Sequence, residues 1–393
     1  MDEKVRVHRI SSLRDPLLCA AANKCKAHLN SVVLEVQSRG QPALWRKKVD
    51  LNVPQSTPMR RRRVAKILLV LMLTCTVCLS SNDKWPRPKT KCPLLERCTC
   101  KFKREGAVTW CANISNASEV DSDMAKLQGV MLRRLSLSNI DIADLPVTWF
   151  RNHSMMFLDI LHCGLRDIKE TAISGITYLL HLRLDKNELE SVPASLTIAK
   201  RLLWLKVRWN RIKHLEGMLR LLELKELDLS YNEIETISED YLQGLPNLED
   251  FLLTTNKIKH LPRNLFRNTT RLKTVKLSNN QLSSIDGLFD RLHHLERLQR
   301  LTIQRNPIKH LQGMLTFSKL WLLDLSFNEI ETIDEEYLYG LPELRHVSLS
   351  HNSIHMLPPN LFIKTRLLKE VELQVNRISS IEGAFNDLPQ LEC

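Results

Sequence analysis

"LLHLRLDKNELESVP", residues Leu179–Pro193, carries the pattern that decides the fold. Leu179, Leu182, Leu184, Asn187 and Leu189 stand in a frame L-x-x-L-x-L-x-x-N-x-L. The asparagine then recurs at Asn210, Asn232, Asn256, Asn280, Asn306, Asn328, Asn352 and Asn376, at spacings of 22 to 26 residues. The same apolar frame surrounds each one, with Val, Ile or Phe in place of some leucines. Two earlier segments fit with a substitution at the asparagine: "LRRLSLSNIDI" has Ile140 there and "MMFLDILHCGL" has Cys163.

In the L-x-L part of the frame, alternate residues fall on opposite faces of a short strand. The leucines point inward. A single coil of this kind cannot bury its apolar face alone, but stacked coils share one core and one parallel sheet. The asparagine turns the chain out of the strand, because its amide both donates and accepts and satisfies backbone groups of neighbouring coils. Cys163 is small enough to fill that turn, so it reads as a free ladder residue rather than half of a disulfide.

From about Cys92 to the end, the chain resembles the extracellular leucine-rich repeat proteins. The resemblance implies an α/β repeat fold: a curved solenoid of about eleven coils, with a parallel β-sheet on its concave face. The repeats then occupy residues 112–393.

A longer period overlies the short one. "RIKHLEGML" at Arg211–Leu219 returns as "PIKHLQGML" at Pro307–Leu315, and "DLSYNEIETI" at Asp228–Ile237 returns as "DLSFNEIETI" at Asp324–Ile333. Four coils are duplicated as a block, 96 residues apart. Of the 20 inward frame positions in the two blocks, 17 are identical. Of the 16 outward strand positions only Asp228/Asp324 and Ser230/Ser326 match. The core was held while the outward face changed, so the two halves present different chemistry on one scaffold.

Ahead of the first coil, residues 92–111 place Cys92, Cys98, Cys100 and Cys111 as C-x5-C-x-C-x10-C. This spacing resembles the N-terminal cap of extracellular leucine-rich repeat proteins, and the resemblance implies Cys92–Cys100 and Cys98–Cys111 bridges. Spacing alone admits three connectivities. A cap is required because the first coil would otherwise expose its apolar end. Four cysteines can also hold zinc, but a secretory leader and the lack of a C-x2-C pair weigh against it, and no metal is expected. N-x-S/T sequons stand at Asn113, Asn116, Asn152 and Asn268. Asn152 and Asn268 occupy the same point of their coils, on the side away from the strands, where a glycan leaves the concave sheet open.

"MRRRRVAKILLVLMLTCTVCLSS", Met59–Ser81, has a basic start, a thirteen-residue uncharged run from Ile67 to Leu79, and small Cys78 and Ser80 before polar residues. That is the form of a secretory signal peptide over residues 59–80, and the run is shorter than the roughly 17–25 residues of a membrane span. The alternative is a signal-anchor through residues 64–81 that holds the chain in the cell membrane. Residues 1–58 carry no sustained periodicity, are assigned no fold and read as disordered or as an upstream extension, with 81–91 as a linker. Of the 57 Lys and Arg, 15 lie in residues 1–81, against 5 of the 44 Asp and Glu. The remaining 42 basic and 39 acidic residues balance to about +3, so the basic total does not argue for nucleic acid. At the other end, "FNDLPQLEC" would begin a twelfth coil at Leu391, with no C-terminal cysteine cap and no evident partner for Cys393. An incomplete chain is the plainest reading. An interface over the end and a tolerated bare end are the others.

No phosphate loop, zinc-protease helix or nucleophile elbow occurs, and the expectation is a non-enzymatic binding protein without cofactor. Eleven strands about 4.8 Å apart make a sheet on the order of 50 Å long. Its outward residues include Phe157, Asp159, Leu161 and His162, then His181, Arg183, Asp185 and Lys186, then Trp204, Lys206, Arg208 and Trp209, then Glu226, Asp228, Ser230 and Tyr231. Trp, Tyr and Arg are the residues over-represented in interface hot spots. Arg183, Trp204, Lys206, Arg208, Trp209 and Tyr231 are therefore the candidate centre for an extracellular or cell-surface protein partner. A sulfated glycan is the second partner class this basic cluster suggests, and Glu226, Asp228 and Asp250 oppose it. A membrane receptor or adhesion ectodomain is the second functional reading, and an intracellular scaffold the third. The pattern names neither ligand nor oligomeric state.

Overall fold

The computed structural model describes residues 91–151, 153–286, 288–289 and 295–392, together with two strand fragments, Asn30–Ser31 and Leu51–Asn52. The fragments pair antiparallel within a first unit, Met1–Trp85. The repeats lie in a second, Pro86–Cys393. The leader at 59–80, Asn152 and Cys393 lie outside the described residues.

Eleven coils stack into one parallel sheet, from Leu132–Ile140 in coil 1 and Phe157–Leu161 in coil 2 to His346–Ser348 in coil 10 and Glu370–Glu372 in coil 11. Each inward residue pairs with its counterpart in the next coil: Leu182 with Leu205, Leu205 with Leu227, Leu227 with Phe251. All four are fully buried. The eleven-residue frame leaves only 11 to 15 residues for each coil to return to the sheet. That return is made of turns, with α-helix among the described residues confined to Asp121–Leu127 and Glu170–Ile173. Buried phenylalanines fill the outer side of the core, with Phe266 and Phe289 6.0 Å apart and Phe289 and Phe317 5.3 Å apart.

From coil 3 onward the asparagine ladder ties each coil to the one before. Asn256 Nδ2 donates to Leu253 O in its own coil at 3.0 Å and to Leu229 O in the previous coil at 3.1 Å, while its Oδ1 accepts from Ile234 N–H at 2.9 Å. Asn210, Asn280, Asn306, Asn352 and Asn376 also bond both to the preceding coil and within their own. Cys163 is a buried free thiol whose Sγ lies 3.3 Å from Leu161 O and 3.7 Å from Leu137 O. It thus faces backbone carbonyls of its own and the preceding coil, as the asparagines do.

The residue before each ladder position, from Asn139 in coil 1 to Val375 in coil 11, sits at φ between +52° and +59°. None is glycine, and an L residue there costs on the order of 1 kcal/mol. The turn recovers backbone bonds: Tyr231 N–H reaches Thr254 O at 2.8 Å and Phe327 N–H reaches Ser350 O at 2.9 Å. This turn leaves much of the row exposed, so that Trp209, Tyr231 and Phe327 are each about 40% exposed. Gly244 and Gly340, 96 residues apart, serve the opposite need: a Cβ there would collide with Leu219 O and Leu315 O.

The cap closes the first coil. Cys98–Lys103 and Gly106–Ile114 form a hairpin that joins the sheet through Gly106–Ile114, and the bridges are Cys92–Cys100 and Cys98–Cys111. Asp123, wholly buried, accepts the N–H groups of Glu96, Arg97 and Cys98 at 2.7–2.8 Å. Burial opposes its charge. The three N–H groups and Lys126 overcome that and hold the carboxyl below its usual range. At the far end, Glu392 N–H donates to Lys369 O at 2.9 Å, continuing the ladder past coil 11.

His153 is 1% exposed and neither ring nitrogen has a hydrogen-bond partner among the described residues. Thr269 and Thr365 hold the equivalent places, and their hydroxyls donate to Phe266 O and Phe362 O three residues back. Burial pushes the His153 pKa down. The folded state therefore binds fewer protons than the unfolded state, whose histidine titrates at about 6.5, and stability falls as pH drops below that value. His153→Thr is expected to flatten the fall in urea midpoint between pH 7 and pH 5. An unchanged slope would mean that His153 does not drive it.

Candidate binding surface on the concave sheet

The sheet registers its outward residues in rows. One row runs Arg134, Phe157, His181, Trp204, Glu226 across successive strands. The rings stack: Phe157 and His181 centroids are 4.2 Å apart, and His181 and Trp204 are 3.9 Å apart and 6° from parallel. Arg134 lies 4.8 Å over the outer face of Phe157. His181 is therefore sandwiched between two rings. Its partial burial, with Arg134 and Lys206 nearby, lowers its pKa to about 4, so it is neutral at physiological pH.

Two more rows are charged. Asp185 is 3% exposed, although its strand position faces outward. Arg208 reaches it at 2.7 Å and Arg183 at 3.1 Å, and Arg208 backbone N–H donates to its other oxygen at 3.0 Å. Burial of Asp185 opposes ionisation, and the hydrogen bonds and charges of these arginines outweigh it, holding the carboxyl below its usual range. The hydrogen bond to Asp185 raises the Arg208 pKa in turn. Lys206 pairs with Glu226 at 2.7 Å. Burial pushes the Asp159 carboxyl up, against the opposing charges of Arg134 and Arg183.

The last row is the exposed one at positive φ. Trp209 and Tyr231 stack at 4.6 Å and 15°. Arg208 and Lys186 flank Trp209 at 4.8 and 5.7 Å from its ring centre.

The structure thus brings Arg183, Trp204, Lys206, Arg208, Trp209 and Tyr231 onto one face, but not as equals. Arg183, Lys206 and Arg208 are each engaged with a carboxylate of the sheet. Trp204 is half-buried against His181. Trp209 and Tyr231 project. Of the outward strand positions, Asp159, Asp185, Asp228 and Ser230 are buried. Asp228 Oδ1 accepts Ser230 N–H at 3.1 Å, and Asp324 Oδ1 accepts Ser326 N–H at 3.1 Å. The two outward positions shared by the duplicated blocks are therefore joined by a local hydrogen bond in both.

Sequence reasoning missed a second stack in the projecting row: Arg305 lies 4.9 Å over Phe327, and Phe327 lies 4.1 Å from His351. The match of Tyr231 to Phe327 between the blocks was the available signal. It also missed that Asn113, at φ +57°, begins this same row, where its Oδ1 accepts from Asn139 Nδ2 at 2.9 Å. Asn116 caps a short turn through Ser118 N–H, and Asn268 is exposed on the outer return of coil 6. Among the described residues no group of His, Cys, Asp and Glu could hold a metal ion, and no helix is long and apolar enough to cross a membrane.

Removing the Trp204 indole uncovers one face of His181. In Trp204→Ala, the His181 pKa is expected to rise from about 4 towards the ordinary histidine value of about 6.5, read by NMR titration of the imidazole protons. An unmoved titration would contradict the stacking geometry.

The leucine rich repeat family profile matches residues 200–258, 246–299, 296–354 and 342–392. Lumican of Coturnix japonica is 30% identical over 249 residues, covering 60% of this chain and 69% of that protein. Keratocan of Coturnix japonica is 28% identical over 233 residues, covering 57% of this chain and 64% of that protein. The chain therefore spans slightly less than two thirds of keratocan. Among solved structures, that of the Toll–Spatzle complex of Drosophila superposes with a TM-score of 0.60 at 20% identity, over 72% of this chain and 43% of that one, a likeness of fold alone. With these matches, the ladder and the disulfide-closed cap, the chain belongs to the extracellular leucine-rich repeat family.

Proposed function

We propose that this chain is a secreted or cell-surface binding protein without catalytic activity that holds an extracellular protein ligand on the concave sheet of coils 3–5. The observation that carries the reading is the Trp209–Tyr231 stack. These are two large rings stacked on each other at positive φ, each about 40% exposed, beside Arg208 and Lys186. Pre-ordered aromatics give contact area at little entropic cost, and Trp, Tyr and Arg dominate interface energetics. Toll, a protein with the same fold, is known in complex with the protein Spatzle.

The electrostatics favour a mixed-charge protein over a sulfated glycan. A polyanion needs a track of free cations. Arg183 and Arg208 are committed to Asp185, and Lys206 to Glu226. Release from the cell rather than anchoring follows from reading residues 59–80 as a cleaved signal peptide.

Arg208 is a poor probe, since its removal also leaves Asp185 short of a partner. Trp209→Ala combined with Tyr231→Ala is the sharper change. It is expected to keep the melting temperature while losing on the order of 30-fold in affinity, the scale of a hot-spot truncation near 2 kcal/mol. Proteins cross-linked to the wild-type chain in conditioned medium and identified by mass spectrometry supply the comparison. Equal capture by the double variant would refute the assignment.

A further inference from the structure

The duplicated block contains a second internal comparison, on the other side of the asparagine turn. After the ladder residue, coils 4 and 5 run out through His214–Leu215 and Thr236–Ile237, which pair as a short parallel ladder on the outer flank. Coils 8 and 9 repeat it through His310–Leu311 and Thr332–Ile333. His214 and His310 each hydrogen-bond the threonine of the next coil at 2.8 Å. Within residues 211–218 and 233–239, eleven positions are at least partly exposed in both copies, and eight are identical. They include Lys213/Lys309, Met218/Met314 and Glu235/Glu331.

The age of the duplication does not explain this. The concave strands of the same block kept 2 of 16 outward residues. At the equivalent exposed flank positions of coils 6 and 7, four of ten are kept, and the charged ones Lys257, Lys259, Arg263 and Asp286 have become Ser353, His355, Pro359 and Glu382. Nor does local structure hold the charges in place. Among the described residues, the side chains of Lys213, Glu235 and Glu331 make no hydrogen bond or ion pair: Lys213 acts on Glu233 and Glu235 on Lys257 through space alone, and Lys309 meets Glu329 at 4.0 Å. Exposed side chains of this kind are free to drift at little cost in stability.

We propose that this flank is a self-association surface: two copies of the chain dock flank to flank with their coils in antiparallel order. A two-fold axis parallel to the ladder strands, placed between coils 6 and 7, keeps the rows aligned and reverses the coil order. Coil 4 then faces coil 9 of the second copy, and coil 5 faces coil 8. Lys213 meets Glu331 of the second copy, Glu235 meets its Lys309, and the symmetry makes each contact twice. His214 and Thr236 face threonine and histidine. In coils 6 and 7, Lys259 and His260 face Ser283 and Ser284, so no like charges oppose in these two rows. A surface that must complement its own duplicate has a reason to stay the same in both places, which neither the concave face nor coils 6 and 7 have. Six coils about 4.8 Å apart give a contact roughly 29 Å long, at the small end of specific interfaces, so the dimer is expected in the micromolar range.

Sedimentation equilibrium of the full chain, secreted from cells and run from about 1 to 200 µM, tests the proposal. Expected is a monomer–dimer equilibrium. Lys213→Glu with Lys309→Glu should raise the dissociation constant at least tenfold, as should Glu235→Lys with Glu331→Lys. An equimolar mixture of the two variants should dimerise again, because each Glu then faces a Lys. Circular dichroism establishes that both variants are folded. A wild-type chain that stays monomeric to 200 µM would overturn the proposal and leave the flank for a different protein partner. A dimer indifferent to either charge reversal, or variants that fail to re-associate when mixed, would overturn it as well.

Discussion

The rest of the molecule depends on a single side-chain amide repeated along it. Turning each strand outward leaves buried backbone groups that no sheet bond can reach, and an unpaired buried carbonyl or N–H costs about 1–3 kcal/mol. The ladder asparagine meets this need with donors to two coils and an acceptor for a third group. Because each amide reaches the preceding coil, it sets the spacing of coils as well as the turn. The positive-φ residue before it is a consequence. The turn needs that conformation, and the conformation leaves the side chain projecting at the edge of the concave sheet. Trp209 and Tyr231 are prominent because of where the ladder places them.

This division of labour explains how the chain varies. Leucines and asparagines carry the fold, so the concave positions are free to take any chemistry that does not bury an unpaired charge. Even there the freedom is partial. Asp185 survives burial through two arginines, and Asp228 and Asp324 persist as local acceptors for Ser230 and Ser326 N–H. The result is a surface with an electrostatically closed middle and an exposed margin, where rings project with cations beside them. On the proposed reading, protein recognition draws more on shape and aromatic contact than on free charge.

The coil count, the sheet, the inward leucines and the free thiol at Cys163 were legible because period and spacing determine them. The disulfide pairing came through the resemblance, since spacing alone left three choices. What the sequence hid was lateral. Whether Asp185 is exposed depends on residues 23 positions away in the next coil, and the stack of Phe157, His181 and Trp204 depends on strand register. His153 looked like any scattered histidine, because only its alignment with Thr269 and Thr365 shows that a satisfied hydroxyl has been exchanged for an unpartnered ring. Asn113 was readable as a sequon but not as the first residue of the projecting row.

The ladder amides, more than the apolar frame alone, couple neighbouring coils. Asn256→Ala isolates this coupling, since the change keeps every leucine, removes one of the two amide donors to Leu229 O and to Leu253 O, which keep Asn232 and Asn280 Nδ2, and orphans Ile234 N–H. At about 1 kcal/mol net for each bond, chemical denaturation should show a loss near 3 kcal/mol, and hydrogen exchange should quicken first at the Ile234 amide. A loss below about 1 kcal/mol with Ile234 still protected would contradict the claim and return the coupling of coils to apolar packing.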